Sequence, residues 1–396
     1  MSFIKKWFFP FVFLFALFSE QLFYSFMSLN GIATESGFLK YIFLIVFAFS
    51  LFVFFLDFDD YLNDASYSIV IIILISILFL YSLTGLLHSD SNEGYSSALL
   101  RFGVICVPCA IIGIHLAKTQ CFDEIVLLLP YFIIPISLIL GSVGVKYAIV
   151  GEITHNESGI NYQNLSYYMA EMYAYSFYYL YLSSLKGTLI HNILRIPMLC
   201  VMIFCVIICT TGGGRGAMLF MVLVTFYLLY RLFKNNETNT LLICIGIMVV
   251  ALLGIYAAIH FDVFNSVGFN RVKNGLNINN RYFWPLAWDA FLDSPIIGHG
   301  LGSIWYMLGS YSHNLFLDLL AETGIIGTTI MSIFLFSFIY FIEKISTYSK
   351  FHLFVLLIFL KSFIMSLLSG YWIETYQFFL AFGFYMYSFK KEDENI

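Results

Sequence analysis

Charge is scarce in this chain. Its 396 residues include 19 Lys and Arg and 24 Asp and Glu, 11% in all, where a soluble domain carries roughly 25%. So few charged groups exclude a soluble multidomain enzyme. The net charge of -5 leaves no basic face for phosphates, which excludes a nucleic-acid binder. The seven cysteines, Cys106, Cys109, Cys121, Cys200, Cys205, Cys209 and Cys244, are odd in number and lie in or beside apolar runs. They show no disulfide framework and no zinc spacing. Cys106-Val-Pro-Cys109 has the form of a redox pair, but its apolar setting points to buried small side chains.

What the chain has instead is apolar length. Hydrophobic residues make up 61%, about 242 side chains, and twelve membrane helices of about 20 residues need about 240. The runs are continuous rather than alternating, so they read as helices and not as barrel strands. The expected fold is all-α and polytopic, with spans near 7–29, 38–57, 68–87, 99–117, 123–145, 163–184, 192–210, 215–232, 239–260, 314–341, 351–369 and 371–389. Lys5 and Lys6 ahead of the run from Trp7 to Phe18 imitate a signal peptide. No small-x-small cleavage site follows, so the run is read as a first span. With the N-terminus in the cytoplasm, inside segments hold about eleven Lys and Arg and outside segments about seven, which puts both termini inside.

This reading divides the chain into 1–260 with nine spans, a long outer loop over 261–312, and 313–396 with three spans. Within the loop, Phe283 to Asp293 has helical spacing. Pro285 falls in the first turn, where proline is tolerated, and Pro295 stops the helix. Phe283, Leu286, Ala290 and Phe291 share one side, as in a helix lying at a membrane surface.

Three stretches hold the polar residues best suited to chemistry. The first runs from Ser312 to Thr328. Ser312 suits a helix cap. His313 would lie at the water boundary, and Asn314, Asp318 and Glu322, spaced by four, share one helix face. Glu322 is about two turns deeper than Asn314, a costly place for an ionisable group unless it faces protein or a wet cavity. Gly324 and Gly327 would let another helix pack closely. An ordinary helix end with an interfacial His fits the same residues. The second stretch is Thr210-Thr211-Gly212-Gly213-Gly214-Arg215-Gly216. No Gly-Lys-Ser/Thr follows, so it is not a P-loop. Gly213 and Gly214 permit close approach of a ligand, the next helix start favours an anion, and Arg215 adds a guanidinium fork. A flexible turn with an interfacial Arg is the alternative. The third is Asn279-Asn280-Arg281, with Arg271 and Lys273 nearby, either a solvated basic face or a second clamp on an anionic head group.

Other candidates carry less. Asp57-Phe58-Asp59 has the Asp-x-Asp form of metal-dependent sugar-nucleotide enzymes, but no soluble domain is present to hold a nucleotide. Glu20 and Lys361 lie in mid-span and could pair or line a cavity, and Glu171 is similar. The tyrosines from Tyr162 to Tyr181 read as interfacial packing before a sugar-stacking surface, and His299 reads as a loop residue.

Taken together, these stretches resemble the O-antigen ligase/polymerase superfamily. The family pattern of His, then Asn or a similar residue, nine residues, Gly, two residues, Gly is matched by His313, Asn314, Gly324 and Gly327. Arg281, Trp288 and Ser294-Pro295-Ile-Ile-Gly298-His-Gly300 resemble the segment before that motif, and Arg215 sits where the family carries another functional Arg. Gly-Gly-Gly precedes Arg215 where Ser, Thr or Gln is common. The resemblance is specific over about 205–330.

The resemblance implies a fold similar to the membrane-embedded glycosyltransferases of the C type, with one long periplasmic loop containing short helices. It implies an inverting, metal-independent glycosyltransferase at the periplasmic face of the bacterial inner membrane, with no cofactor. The donor would be a glycan on undecaprenyl diphosphate. A polymerase of O-antigen or similar repeat units comes first, because the compact, aromatic-rich chain is similar to polymerases in general character. A ligase moving glycan onto lipid A-core comes second, and a lipid-linked glycan flippase or transporter third. The catalytic set would be His313, Arg215 and Arg281; Asn314, Asp318, Glu322, Arg271, Gly213 and Gly214 would bind substrate. Glu322 or Asp318 would orient His313 or an Arg. Implied partners are the lipid-linked glycans and the bilayer, with a chain-length regulator and a flippase as further candidates, and no nucleic acid.

Overall fold

The computed structural model describes residues 3–30, 103, 106–119, 121–150, 162–183, 189–212, 214–234, 283–346, 350–371 and 375–393. Every regular element among them is helical. In chain order they are α1 (Phe3–Leu17), α2 (Ser19–Asn30), α3 (Val107–Thr119), α4 (Phe122–Val150), α5 (Tyr162–Ser183), α6 (Leu189–Gly212), α7 (Arg215–Lys234), α8 (Phe283–Asp293), α9 (Ser303–Leu308), α10 (Leu315–Ser346), α11 (Lys350–Leu368) and α12 (Tyr376–Asp393). The spans expected at 38–57, 68–87 and 239–260 lie outside the described residues, as do Asp57-Phe58-Asp59 and Cys244.

Among the described residues, five segments are long and apolar enough to cross a membrane: Phe122–Val145, Ile193–Thr210, Arg215–Lys234, Leu315–Ile333 and Phe351–Leu368. The first expected span is broken, with Trp7–Leu17 and Ser19–Phe26 meeting at a 68° bend, and counting that pair as one gives six. α3 is 13 residues long, short of a full crossing. α5 and α12 fall outside the five by composition. α5 alternates Tyr with Gln, Ser and Glu, and α12 ends on Lys-Lys-Glu-Asp.

Two compact units divide the chain. One comprises Met1–Leu39 and Cys121–Asn277, the other Lys40–Gln120 and Ile278–Ile396. In the first, α5 is the central post and packs on α4, α6 and α7. Tyr167, Tyr168, Tyr173, Tyr175, Tyr178, Tyr179 and Tyr181 are all buried, so these tyrosines are core. Glu171 on the same helix is fully buried and accepts hydrogen bonds from Gln21 Nε2 at 2.7 Å and Tyr175 Oη at 2.9 Å. Glu20 accepts from Tyr168 Oη at 3.2 Å. Glu20 and Glu171 thus have donors that reduce their burial cost.

In the second unit, α12 lies against α3 and α11, and α10 lies against α8 and α11. α3 and α12 approach through reciprocal glycines. A side-chain carbon on Gly113 would strike the Leu380 carbonyl, and one on Gly383 would strike the Ala110 carbonyl. Small residues at such a crossing let two backbones touch. Lys361 of α11 is buried and donates to Gln377 Oε1 of α12 at 2.8 Å. Cys106 and Cys109 are buried and form no disulfide among the described residues.

Candidate active site

The site in the second unit is built around a break in α10. Gly324 has φ 62 and ψ -166, a conformation open essentially to glycine alone. The segment after α8 fills the break with its own backbone. His299 N donates to the Ala321 carbonyl at 3.0 Å and Gly300 N to the Glu322 carbonyl at 2.8 Å. In return Ile325 N donates to the Pro295 carbonyl at 2.9 Å and Ile326 N to the Ile296 carbonyl at 3.3 Å. In an unbroken helix the Ala321 and Glu322 carbonyls would take the N–H groups of Ile325 and Ile326. The loop replaces both partners, so these two carbonyls and these two N–H groups stay bonded at the break. A side-chain carbon on Gly298 would strike Glu322 and Thr323 backbone, and one on Gly324 would strike Ile296 backbone. Gly324 therefore admits a loop rather than another helix. Gly327 faces its own Thr323 one turn back.

The turn before α10 carries His313. The helix cap is Asn314, whose Oδ1 accepts from Phe316 N at 3.1 Å and Leu317 N at 3.3 Å. The cap expected at Ser312 is thus shifted by two residues. Ser312 is buried instead, with its N–H donated to Asp318 Oδ1 at 2.8 Å. Between them His313 has φ 60, the one positive φ at a non-glycine residue among those described. Left-handed backbone costs an L-residue roughly 1–2 kcal/mol, and such strain concentrates at functional sites.

The His313 ring is fixed by tertiary contacts. Nδ1 lies 2.8 Å from the Ser369 carbonyl. A carbonyl only accepts, so Nδ1 carries the proton and the neutral ring keeps its lone pair on Nε2. The Ser369 carbonyl ends α11, closed by Ser369 N and Gly370 N on the Met365 carbonyl, and stands at the negative end of that helix dipole. Tyr311 packs its ring edge-on to His313 at 4.5 Å, and Phe283 at 6.4 Å. Tyr311 also meets Trp305 at 5.4 Å and stacks on Tyr371 at 5.9 Å.

Asp318 and Glu322 are fully buried. Glu322 Oε1 accepts from Gly302 N at 3.0 Å and Tyr371 Oη at 2.8 Å. Both carboxylates spend oxygens on the surrounding frame. Asp318 Oδ2 is buried with no hydrogen-bond partner among the described residues. His299 is more than a loop residue, because its Nε2 lies 2.8 Å from the Ala290 carbonyl and fastens the loop to α8.

In the other unit, α6 ends at Gly212 and α7 begins at Arg215, the tight turn that the spacing predicts. Arg215 is exposed as the first residue of α7. Gly214 is buried, and a side-chain carbon there would strike Ser166 of α5. Its missing side chain makes room for Ser166 of α5. Gly213, Arg271 and Arg281 lie outside the described residues. Ser369, Tyr371, Tyr311 and Gly302 were missed by sequence reasoning. Ser369 and Tyr371 lie 56 and 49 residues from the partners they hold, a separation with no periodic signature.

The residues His313, Asn314, Gly324 and Gly327, together with Arg215 and Arg281, all lie within one matched segment. Residues 200–332 match the family model for O-antigen ligase. The match supports the O-antigen ligase/polymerase superfamily for this chain. It covers about a third of the chain, from mid-α6 through the break in α10, and stops before Ser369 and Tyr371. No curated protein and no solved structure matches the chain.

Proposed function

We propose that this protein is a polymerase of O-antigen or a similar surface polysaccharide, an inverting glycosyltransferase that joins oligosaccharide repeat units carried on undecaprenyl diphosphate. The proposed site faces the periplasm from the bacterial inner membrane. The observation that carries the reading is the His313 ring. Its Nδ1–H is given to the Ser369 carbonyl, and it lies within the O-antigen ligase match. A base held in one tautomer at a helix end suits proton removal from a sugar hydroxyl.

In the proposed reaction the acceptor hydroxyl attacks the anomeric carbon of the donor from the face opposite the diphosphate. A new C–O bond forms, the bond to the diphosphate oxygen breaks, and the hydroxyl proton passes to His313 Nε2. One displacement inverts the carbon. Charge gathers on the departing diphosphate, and the proposal assigns its neutralisation to Arg215 and Arg281, with Arg271 and the N–H groups of Gly213 and Gly214 supporting. Asn314 keeps its amide NH2 for a sugar oxygen, since its Oδ1 is spent on the helix start. Asp318 and Glu322 enter as supports of the frame.

The second reading is a ligase that moves glycan from undecaprenyl diphosphate onto lipid A-core; the description of the matched family as O-antigen ligase favours it. The two share donor and base and differ in acceptor. The match does not support a lipid-linked glycan flippase. The deciding experiment is the lipopolysaccharide ladder of a deletion strain. One repeat on the core shows a polymerase. Bare core with polymer left on the lipid carrier shows a ligase. A normal ladder would remove both readings.

A further inference from the structure

We propose that Tyr371 is a positioning residue for His313, fixing the ring from two sides by tying the end of α11 to Glu322 and by backing Tyr311. This rests on His313 being the base. The hydroxyl of Tyr371 donates to Glu322 Oε1 at 2.8 Å, and Tyr371 is itself buried. Two residues earlier on the same turn, the Ser369 carbonyl receives the His313 Nδ1–H. The Tyr371 ring stacks on Tyr311 at 5.9 Å, and Tyr311 meets the His313 ring at 4.5 Å. The Ser369 hydrogen bond and the Tyr311 ring contact of His313 therefore both run through one tyrosine.

The anchor is itself anchored. Glu322 Oε1 also accepts from Gly302 N, and the Glu322 carbonyl takes Gly300 N. Glu322 lies at the break in α10, where backbone bonds to the loop fix the chain. Without the Tyr371 hydroxyl, the turn after α11 keeps its helix bonds but loses its tie to α10. The Ser369 carbonyl is then no longer held opposite Nδ1. The ring loses its single tautomer and the carbonyl that steadies the imidazolium formed during attack. Misplacing a base in this way costs about 10- to 100-fold in rate without touching donor binding.

The titratable groups that hydrogen bonds and ring contacts tie to the His313 turn are Tyr311 on its own loop, Tyr371 on the α11 turn, and Asp318 and Glu322 on α10; farther along the same elements lie Tyr340, Glu343 and Lys344 of α10, Lys350, His352 and Lys361 of α11, and Asp289 and Asp293 of α8. Asp289 and Asp293 are exposed, and α8 presents the Phe283 ring to His313. Loss of the Ser369 carbonyl makes the imidazolium less stable. The acid limb of the rate, set by protonation of the free base, therefore moves to lower pH.

The test uses the full chain in nanodiscs, with undecaprenyl-diphosphate-linked oligosaccharides extracted from the deletion strain as donor. Tyr371→Phe keeps the ring and removes only the hydroxyl. Its kcat is expected to fall about 10- to 100-fold with KM unchanged, and its acid limb to shift to lower pH. Glu322→Ala, which removes the acceptor of the Tyr371 hydroxyl, is expected to reproduce the Tyr371→Phe shift. Wild-type kinetics in Tyr371→Phe, or lost activity with an unmoved acid limb, would overturn the proposal. Full activity in His313→Ala would overturn the parent reading instead.

Discussion

Gly298 and Gly324 interlock. Both have positive φ, and a side-chain carbon on either would strike the backbone segment that carries the other. Gly298 sits over Glu322 and Thr323, and Gly324 over Ile296 and Ile297. The loop and the broken helix share four backbone hydrogen bonds at this point, so the frame of the site is made of main chain.

Gly324→Ala should therefore be poorly tolerated. The strained conformation alone costs about 1–3 kcal/mol, and the clash with Ile296 backbone adds to it. Gly309→Ala is the control, because Gly309 also has positive φ but nothing lies within 4 Å of an added carbon. Thermal unfolding in detergent should show a clearly larger drop for Gly324→Ala. Equal drops would contradict the interlock.

His313→Ala should abolish glycan extension while the protein stays in the membrane at normal abundance. Immunoblots of membranes beside lipopolysaccharide gels check both halves. A normal distribution of polymer lengths in that variant would sink the assignment of the base.

Arg215→Ala and Arg281→Ala should fail in the same assay. Lysine at either position should rescue poorly, because a point charge lacks the planar fork that grips a diphosphate at two oxygens. Rescue by lysine to near-normal ladders would mean that charge alone is enough.

Asp318→Asn should be mild and Asp318→Ala severe. Asparagine retains an oxygen for Ser312 N, whereas alanine leaves a buried N–H unmet at a cost of about 1–3 kcal/mol. The loss also frees the strained turn at His313. A melting comparison of the two variants reads the difference directly.

The sequence showed some of this plainly. α8 was legible to the residue, because Pro285 is allowed in a first turn and Pro295 stops the helix, leaving Phe283–Asp293. The turn between α6 and α7 was legible from its length. Gly324 was visible as a glycine but misread as a helix contact, because an apolar run continues through it and gives no sign that Pro295 and Ile296 supply the partners. The tyrosines read as interfacial packing are buried in the core around α5, since seven rings spread along one helix meet neighbours on several sides. Tyr371 and Ser369 carried no local pattern at all. Their roles exist only once α11 ends beside the His313 turn.

The break in α10 also works as a ruler. Unbroken, its 32 residues would extend about 48 Å, far more than the roughly 30 Å of a bilayer's hydrocarbon. From Ile325 to Ser346 the length is about 33 Å, close to one thickness. The exposed large apolar residues of the helix, Ile325, Ile326, Ile330, Ile333, Phe336 and Tyr340, all follow the break, and none precedes it. Among the described residues, the apolar face that α10 leaves open therefore begins just past Gly324. Glu322, which the sequence places about two turns deeper than Asn314, comes before that face, and a carboxylate is cheaper to keep there than within it.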